Sequence, residues 1–128
     1  MFRKSVFILF TFFISIGVTN LSAKEFCSKE NVIDDISGKW EGSNSYYYLF
    51  EKRNNKLCIS VIDPYSTTIR DVRDIIVKDG KLNLFTIHTP STNSYTVIYD
   101  IYYTSKSKLS YNWLSPYGKG NNNLFNTK

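Results

Sequence analysis

The chain contains one histidine, two cysteines, three prolines and six glycines in 128 residues. With His88 alone, a histidine-rich metal cluster is excluded. His88 could still be oriented by an acid such as Asp71, but no nucleophile-elbow motif accompanies the pair. No glycine-rich phosphate loop is present, since Gly118-Lys-Gly120 is too short. The acids are scattered apart from Asp34-Asp35, so no carboxylate pair is set out for glycosidic hydrolysis. Charge runs are missing too. The formal net charge is +5, spread over 16 basic and 11 acidic residues without a cluster. That pattern reads as a solvated surface and not as a nucleic-acid patch. These absences predict a protein that is not an enzyme, uses no cofactor or metal, and binds no nucleic acid.

A long membrane span is lacking as well. The longest apolar run, Val6–Val18, is interrupted by Thr11, Ser15 and Gly17. It falls short of the roughly 20 residues a bilayer needs. Arg3 and Lys4 precede it and Leu21-Ser-Ala23 follows, which predicts a cleaved secretory signal over residues 1–23 and a single domain over 24–128. The alternative is a retained anchor. Cleavage removes two basic residues and no acidic one, so the net charge falls from +5 to +3. No stable membrane anchor then remains, and the expected location is periplasmic or extracellular. Charged residues at Lys24-Glu25 before Cys27 argue against a lipobox. The Asn-, Lys-, Ile- and Tyr-rich composition suggests a bacterial source. In an exported chain, Cys27 and Cys58 predict one disulfide, against the alternative of two free thiols.

What the chain does hold is aromatic residues, ten Tyr, nine Phe and two Trp. They fall in short segments of period-2 alternation separated by turn residues, the pattern of an antiparallel all-β domain. Six strands are predicted, over 46–51, 57–62, 69–78, 82–88, 95–103 and 109–114. Asn54-Asn55 and Asp79-Gly80 mark tight hairpins. Thr89–Ser94 and Ser115–Asn123 read as loops, with Leu124-Phe125 as a short closing strand. Asn31–Ile36 is predicted as a short helix.

The first strands gather around Gly38-Lys-Trp40. This resembles the Gly-x-Trp signature of lipocalin-like proteins. The resemblance implies a small antiparallel barrel or half-barrel whose Trp closes one end under a short N-terminal helix, with Gly38 and Trp40 in structural roles. It covers about fifteen residues, and the family's other segments have no counterpart here.

Counting by twos from Trp40 puts Tyr46, Tyr48 and Phe50 on one face. A two-residue turn at Asp79-Gly80 sets Val77 opposite Leu82, Ile75 opposite Leu84, Arg73 opposite Thr86 and Asp71 opposite His88. Tyr95, Val97, Tyr99, Ile101 and Tyr103 share a face of the next strand, and Leu109, Tyr111 and Trp113 a face of the last. Two readings of so much tyrosine stay open. The face lines a cavity for an amphipathic ligand, with Tyr46, Tyr48, Tyr99, Tyr103 and Tyr111 as its walls and Asp71, Arg73, Thr86 and His88 as its polar end. Or many of these Tyr lie outside as cross-strand pairs, and the charged group is an internal ion pair. The functional expectation is an exported binding protein for a small amphipathic or apolar ligand. The alternative is a protein-binding module, such as an inhibitor or immunity-type protein acting through its loops.

Overall fold

The computed structural model describes residues 25–65, 70–90 and 93–127. The predicted signal lies outside these residues. Nine strands form one antiparallel sheet: β1 (Phe26–Asn31), β2 (Gly38–Glu41), β3 (Tyr47–Arg53), β4 (Lys56–Ile62), β5 (Asp71–Lys78), β6 (Lys81–Thr89), β7 (Tyr95–Thr104), β8 (Lys108–Ser115) and β9 (Gly118–Asn126). Their order is β1-β4-β3-β2-β9-β8-β7-β6-β5. The two edge strands, β1 and β5, curl round to lie against each other, so the sheet is a nearly closed barrel.

Beyond the six main strands predicted there are three more, the last of which, β9, contains the expected closing strand Leu124-Phe125. β1 and β2 are short. β9 runs through Asn121-Asn122-Asn123, a composition with poor strand propensity. It is held by pairing on both sides, to β8 along its whole length and to β2 at Trp40–Asn126 and Glu41–Phe125. The predicted loop over 115–123 is therefore a tight turn at Pro116-Tyr117 followed by strand. The two predicted hairpins turn as their sequences demand. Asn54, Asn55, Asp79 and Gly80 all take positive φ, as two-residue turns matched to strand twist require.

No helix occurs among the described residues. The predicted helix over 31–36 is instead the end of β1 and an extended strap, 32–37, that crosses one end of the barrel. Its backbone donors find partners on neighbouring hairpins rather than along a helix. Val32 N–H donates to the Asn55 carbonyl at 2.8 Å and Ile33 N–H to the Gly80 carbonyl at 2.8 Å. Val32 and Ile36 turn inward and are buried.

The interior is packed. Trp40, Tyr48, Leu57, Ile59, Phe85 and Leu109 have no exposed surface. Phe85 lies flat on Tyr99, with centroids 4.6 Å apart, and edge-on to Tyr48 and Phe50. Such aromatic pairs add to plain area burial. Tyr48 Oη donates to Tyr99 Oη at 3.2 Å, so these core hydroxyls satisfy each other.

Bulges correct the expected faces of β5 and β6. Uniform alternation placed Ile75 opposite Leu84 and Arg73 opposite Thr86. The observed pairs are Ile76–Leu84, Ile75–Phe85 and Asp74–Thr86. An extra residue at Asn83 shifts the register by one, and another at Arg73 shifts it back, which restores Asp71 opposite His88. Val72, Ile75 and Val77 consequently face the core.

Cys27 and Cys58 are directly opposed on β1 and β4 and form a disulfide. A disulfide of this kind is at home in an oxidising environment.

Candidate functional site

The barrel has two unlike ends. At the strap end, Trp40 Nε1 donates to the Ile36 carbonyl at 2.8 Å, which satisfies the one polar atom of a fully buried indole. Gly38 has φ +145°, and a Cβ there would lie 2.5 Å from Asn126 Oδ1. Only glycine suits both the conformation and the close approach. Asn126 itself donates to the Ser37 and Lys106 carbonyls, each at 3.2 Å. This end is closed.

The opposite end carries the β2–β3, β4–β5, β6–β7 and β8–β9 connections. Here a cleft of about 350 Å³ opens to solvent. That size falls at the low end of small-molecule sites, roughly 300–1,000 Å³. Its aromatic lining is Tyr46, Tyr95, Tyr99, Tyr111, Trp113 and Tyr117, and its polar lining is Asn44, Ser115 and Asn122, with Val97 between them. Tyr99 and Tyr111, 5.0 Å apart, form the floor and are nearly inaccessible. Burial pushes the Tyr99 hydroxyl well above the usual phenol range and Tyr111 up to about 12. Both are neutral donors at any physiological pH.

The walls come from separate strands and are braced by specific contacts. Tyr117, in the β8–β9 turn, meets Tyr95 edge-on at 5.2 Å, and its hydroxyl reaches the Asn93 carbonyl at 3.5 Å. Asn122 Nδ2 donates to Ser43 Oγ at 3.0 Å, joining β9 to the β2–β3 connection. The Trp113 indole lies against Gly120 so closely that a Cβ there would be 2.8 Å from Nε1. Tyr46 is held from behind by the Arg70 guanidinium, 4.3 Å from its ring centroid. Arg70 is in turn fixed by the buried carboxylate of Asp63 at 3.5 Å and by Thr89 Oγ1 at 3.2 Å.

Of the residues proposed from sequence, the structure brings Tyr46, Tyr99 and Tyr111 into this cleft. Tyr48 lies one layer deeper, fully buried, with its hydroxyl on Tyr99. The expected polar end does not form at the cleft. Asp71 pairs with Arg73 at 3.8 Å, Thr86 Oγ1 donates to Asp74 Oδ2 at 3.3 Å, and His88 Nδ1 lies 3.4 Å from Thr96 Oγ1. Thr86 and His88 alternate with the inward Phe85 and Ile87, so they belong to the other face of β6. Tyr103 is 52 % exposed, because an extra residue at Tyr102 breaks the alternation of β7.

Sequence reasoning did not name Asn44, Ser115, Tyr117 or Asn122 as ligand-binding residues; the last three fall in Ser115–Asn123, a contact loop of the protein-binding alternative. Tyr95 and Trp113 were on the right faces by alternation and needed only the knowledge that both lie at the same end. The one grouping of metal-capable side chains among the described residues is Glu25, Cys27 and Cys58. Its sulfurs are joined in the disulfide and Glu25 is paired with Arg53 at 2.7 Å, so it is a cross-link with an ion pair beside it.

Compared with protein-family models, curated proteins and solved structures, the chain has no match in any of the three.

Proposed function

We propose that this chain is an exported, non-enzymatic binding protein with a lipocalin-like plan, closed at the Gly38/Trp40 end and receiving a small amphipathic ligand at the other. The signal-like start and the Cys27–Cys58 bridge support export to the periplasm or beyond. The observation that carries the binding reading is the solvent-open cleft of about 350 Å³ between Tyr46, Tyr95 and Tyr117, with hydroxyls on its floor and amides on its rim. Concave aromatic surface with a few fixed polar groups is the usual make-up of a small-molecule site. The packed core below it means that the ligand sits in the mouth and not in a deep calyx.

The test is native mass spectrometry of the mature, oxidised protein purified from its host's envelope. A reproducible extra mass that is lost on denaturation is the expected result. A clean monomer mass, together with failure to take up ligand on titration, counts against the reading. It would favour the second reading, a protein-binding module. Tyr65 and Tyr117, 83 % and 67 % exposed and both in connections of the open end, support that alternative. Large rigid aromatics on a rim suit contact with a partner protein.

A further inference from the structure

We propose that the ligand class of the cleft is a neutral saccharide, held by a pyranose ring of an oligosaccharide against the tyrosine walls. The inference rests on the binding reading above and narrows it by chemistry.

Among the described residues, the lining contains no carboxylate, lysine, arginine or histidine. Arg70 stands against the Tyr46 ring and is engaged by Asp63 and Thr89. Burial holds the Tyr99 and Tyr111 hydroxyls protonated into alkali. A charged head group would therefore lose its water without gaining a counter-charge, which is costly. The occupant is neutral.

The polar groups then separate a sugar from a lipid or a plain aromatic. Asn122 uses one amide hydrogen on Ser43 and accepts one bond from the Asn123 N–H. An amide has two donors and two lone pairs, so one of each remains to face the cleft. Asn44 brings a second amide to the rim, and Tyr111 stands on the floor beside Tyr99, whose own hydroxyl is bonded to Tyr48. An alkyl chain would cover the two amides and the Tyr111 hydroxyl without bonding them, at a cost per group comparable to a lost hydrogen bond. A pyranose offers a hydroxyl or ring oxygen in nearly every direction around its rim, while its C–H faces are apolar and flat. Tyr95 and Tyr117 pack edge-to-face on each other at 86° and both line the cleft, so they offer aromatic surface on which such a C–H face can rest. Tyrosine supplies this contact area at low entropic cost, since it has only two torsions to fix. The opening to solvent leaves room for the rest of a chain to run outward.

The experiment is titration of the oxidised mature protein with maltotriose, cellotriose and tri-N-acetylchitotriose, and separately with the neutral apolar dye N-phenylnaphthylamine. Heat and tryptophan fluorescence are recorded. The sequence has two tryptophans, and Trp40 is fully buried at the far end, so a saccharide-induced change reports Trp113. Saturable binding of at least one trisaccharide with a Trp113 signal is expected, weakened about tenfold by Tyr117→Ala, as for an anchoring aromatic contact. Saccharide binding that leaves Trp113 and the Tyr117→Ala variant unaffected overturns the placement. Binding of the dye alone overturns the saccharide class while leaving a binding cleft standing. Binding of neither removes both readings.

Discussion

The two ends of this barrel use the same class of side chain to opposite effect. At the strap end an indole is buried completely, and its one polar atom is bonded to the Ile36 carbonyl. The aromatic there is a plug, finished within the chain. At the open end Tyr46, Tyr95, Trp113 and Tyr117 are only partly covered, and their rings meet the protein on one side and solvent on the other. The difference lies in the backbone around them. A strap with two inward apolar residues crosses one end, and nothing of that kind crosses the other among the described residues. Aromatic content alone therefore does not distinguish core from site. What distinguishes them is whether the polar atoms of the ring find partners inside the fold.

The comparison can be broken most severely at Trp40. Trp40→Ala should cost about 3–5 kcal/mol, the range for emptying a large aromatic site in a packed core. It also leaves the Ile36 carbonyl without its donor. Urea or guanidinium unfolding of the variant measures the loss. A cost below about 1 kcal/mol would mean that the strap end is held by something other than its plug.

Cutting the Cys27–Cys58 bridge is expected to have the next largest effect. The two residues are 31 apart in sequence, and closing such a loop contributes about 3–4 kcal/mol in the chain-entropy model. β1 feeds directly into the strap, so the destabilisation should concentrate at the closed end. Hydrogen exchange on the reduced protein, or on Cys27→Ser/Cys58→Ser, should show β1 and residues 32–37 losing protection first. Protection lost first at the Tyr117 end would reverse the comparison.

Alkali should act on the layer between the two ends. Burial raises Tyr48 and Tyr99 well above the ordinary phenol value of 10, and Tyr111 to about 12. Below pH 10 these groups are protonated folded or unfolded, and stability does not depend on them. Above pH 10 the unfolded chain releases the protons that the folded chain retains, so stability falls as pH rises. For Tyr111 alone the loss is about 1.4 kcal/mol per pH unit between pH 10 and pH 12. Tyrosinate absorbance followed together with denaturant midpoints checks this. Stability that is flat from pH 9 to pH 12 would contradict the buried placement.

How much of this was legible beforehand depends on how local the cause was. Asn54-Asn55 and Asp79-Gly80 specify their turns within two residues, and both hairpins form where expected. The facing of Trp40, Tyr48 and Phe50 follows from period-2 alternation. Ile101 opposite Tyr111 and Tyr99 opposite Trp113 are the pairs that a three-residue turn predicts, but they occur because the extra residue at Tyr102 offsets a turn that pairs Thr104 with Leu109. Failures came where one inserted residue changes everything beyond it. Arg73, Asn83 and Tyr102 carry no signature of a bulge, yet they place Asp71, Arg73, Thr86, His88 and Tyr103 away from the cleft. The strap was misread for a different reason. Its hydrogen-bond partners, Asn55 and Gly80, lie more than twenty residues away, so a local reading offered helix by default. Strand β9 is a further case of distant control, because its asparagines are held by β8 and β2 and not by their own propensity.

The smallest stability effect should come from the open end, and it sharpens the contrast most. Tyr117 is 67 % exposed in a two-residue turn and touches the fold through Tyr95 and the Asn93 carbonyl. Its hydroxyl contact at 3.5 Å is at the limit of a hydrogen bond, and little apolar area is withdrawn from water. Tyr117→Ala should therefore change folding stability by no more than about 0.5 kcal/mol, as surface substitutions usually do. A chain that folds without it has no structural need for a large, mostly exposed ring at the cleft mouth. Paired with Trp40→Ala, the variant separates the aromatic residues that hold this barrel together from those that face outward for another molecule. If Tyr117→Ala instead unfolds as readily as Trp40→Ala, the open end is a second plug, and the cleft is a packing gap between its parts.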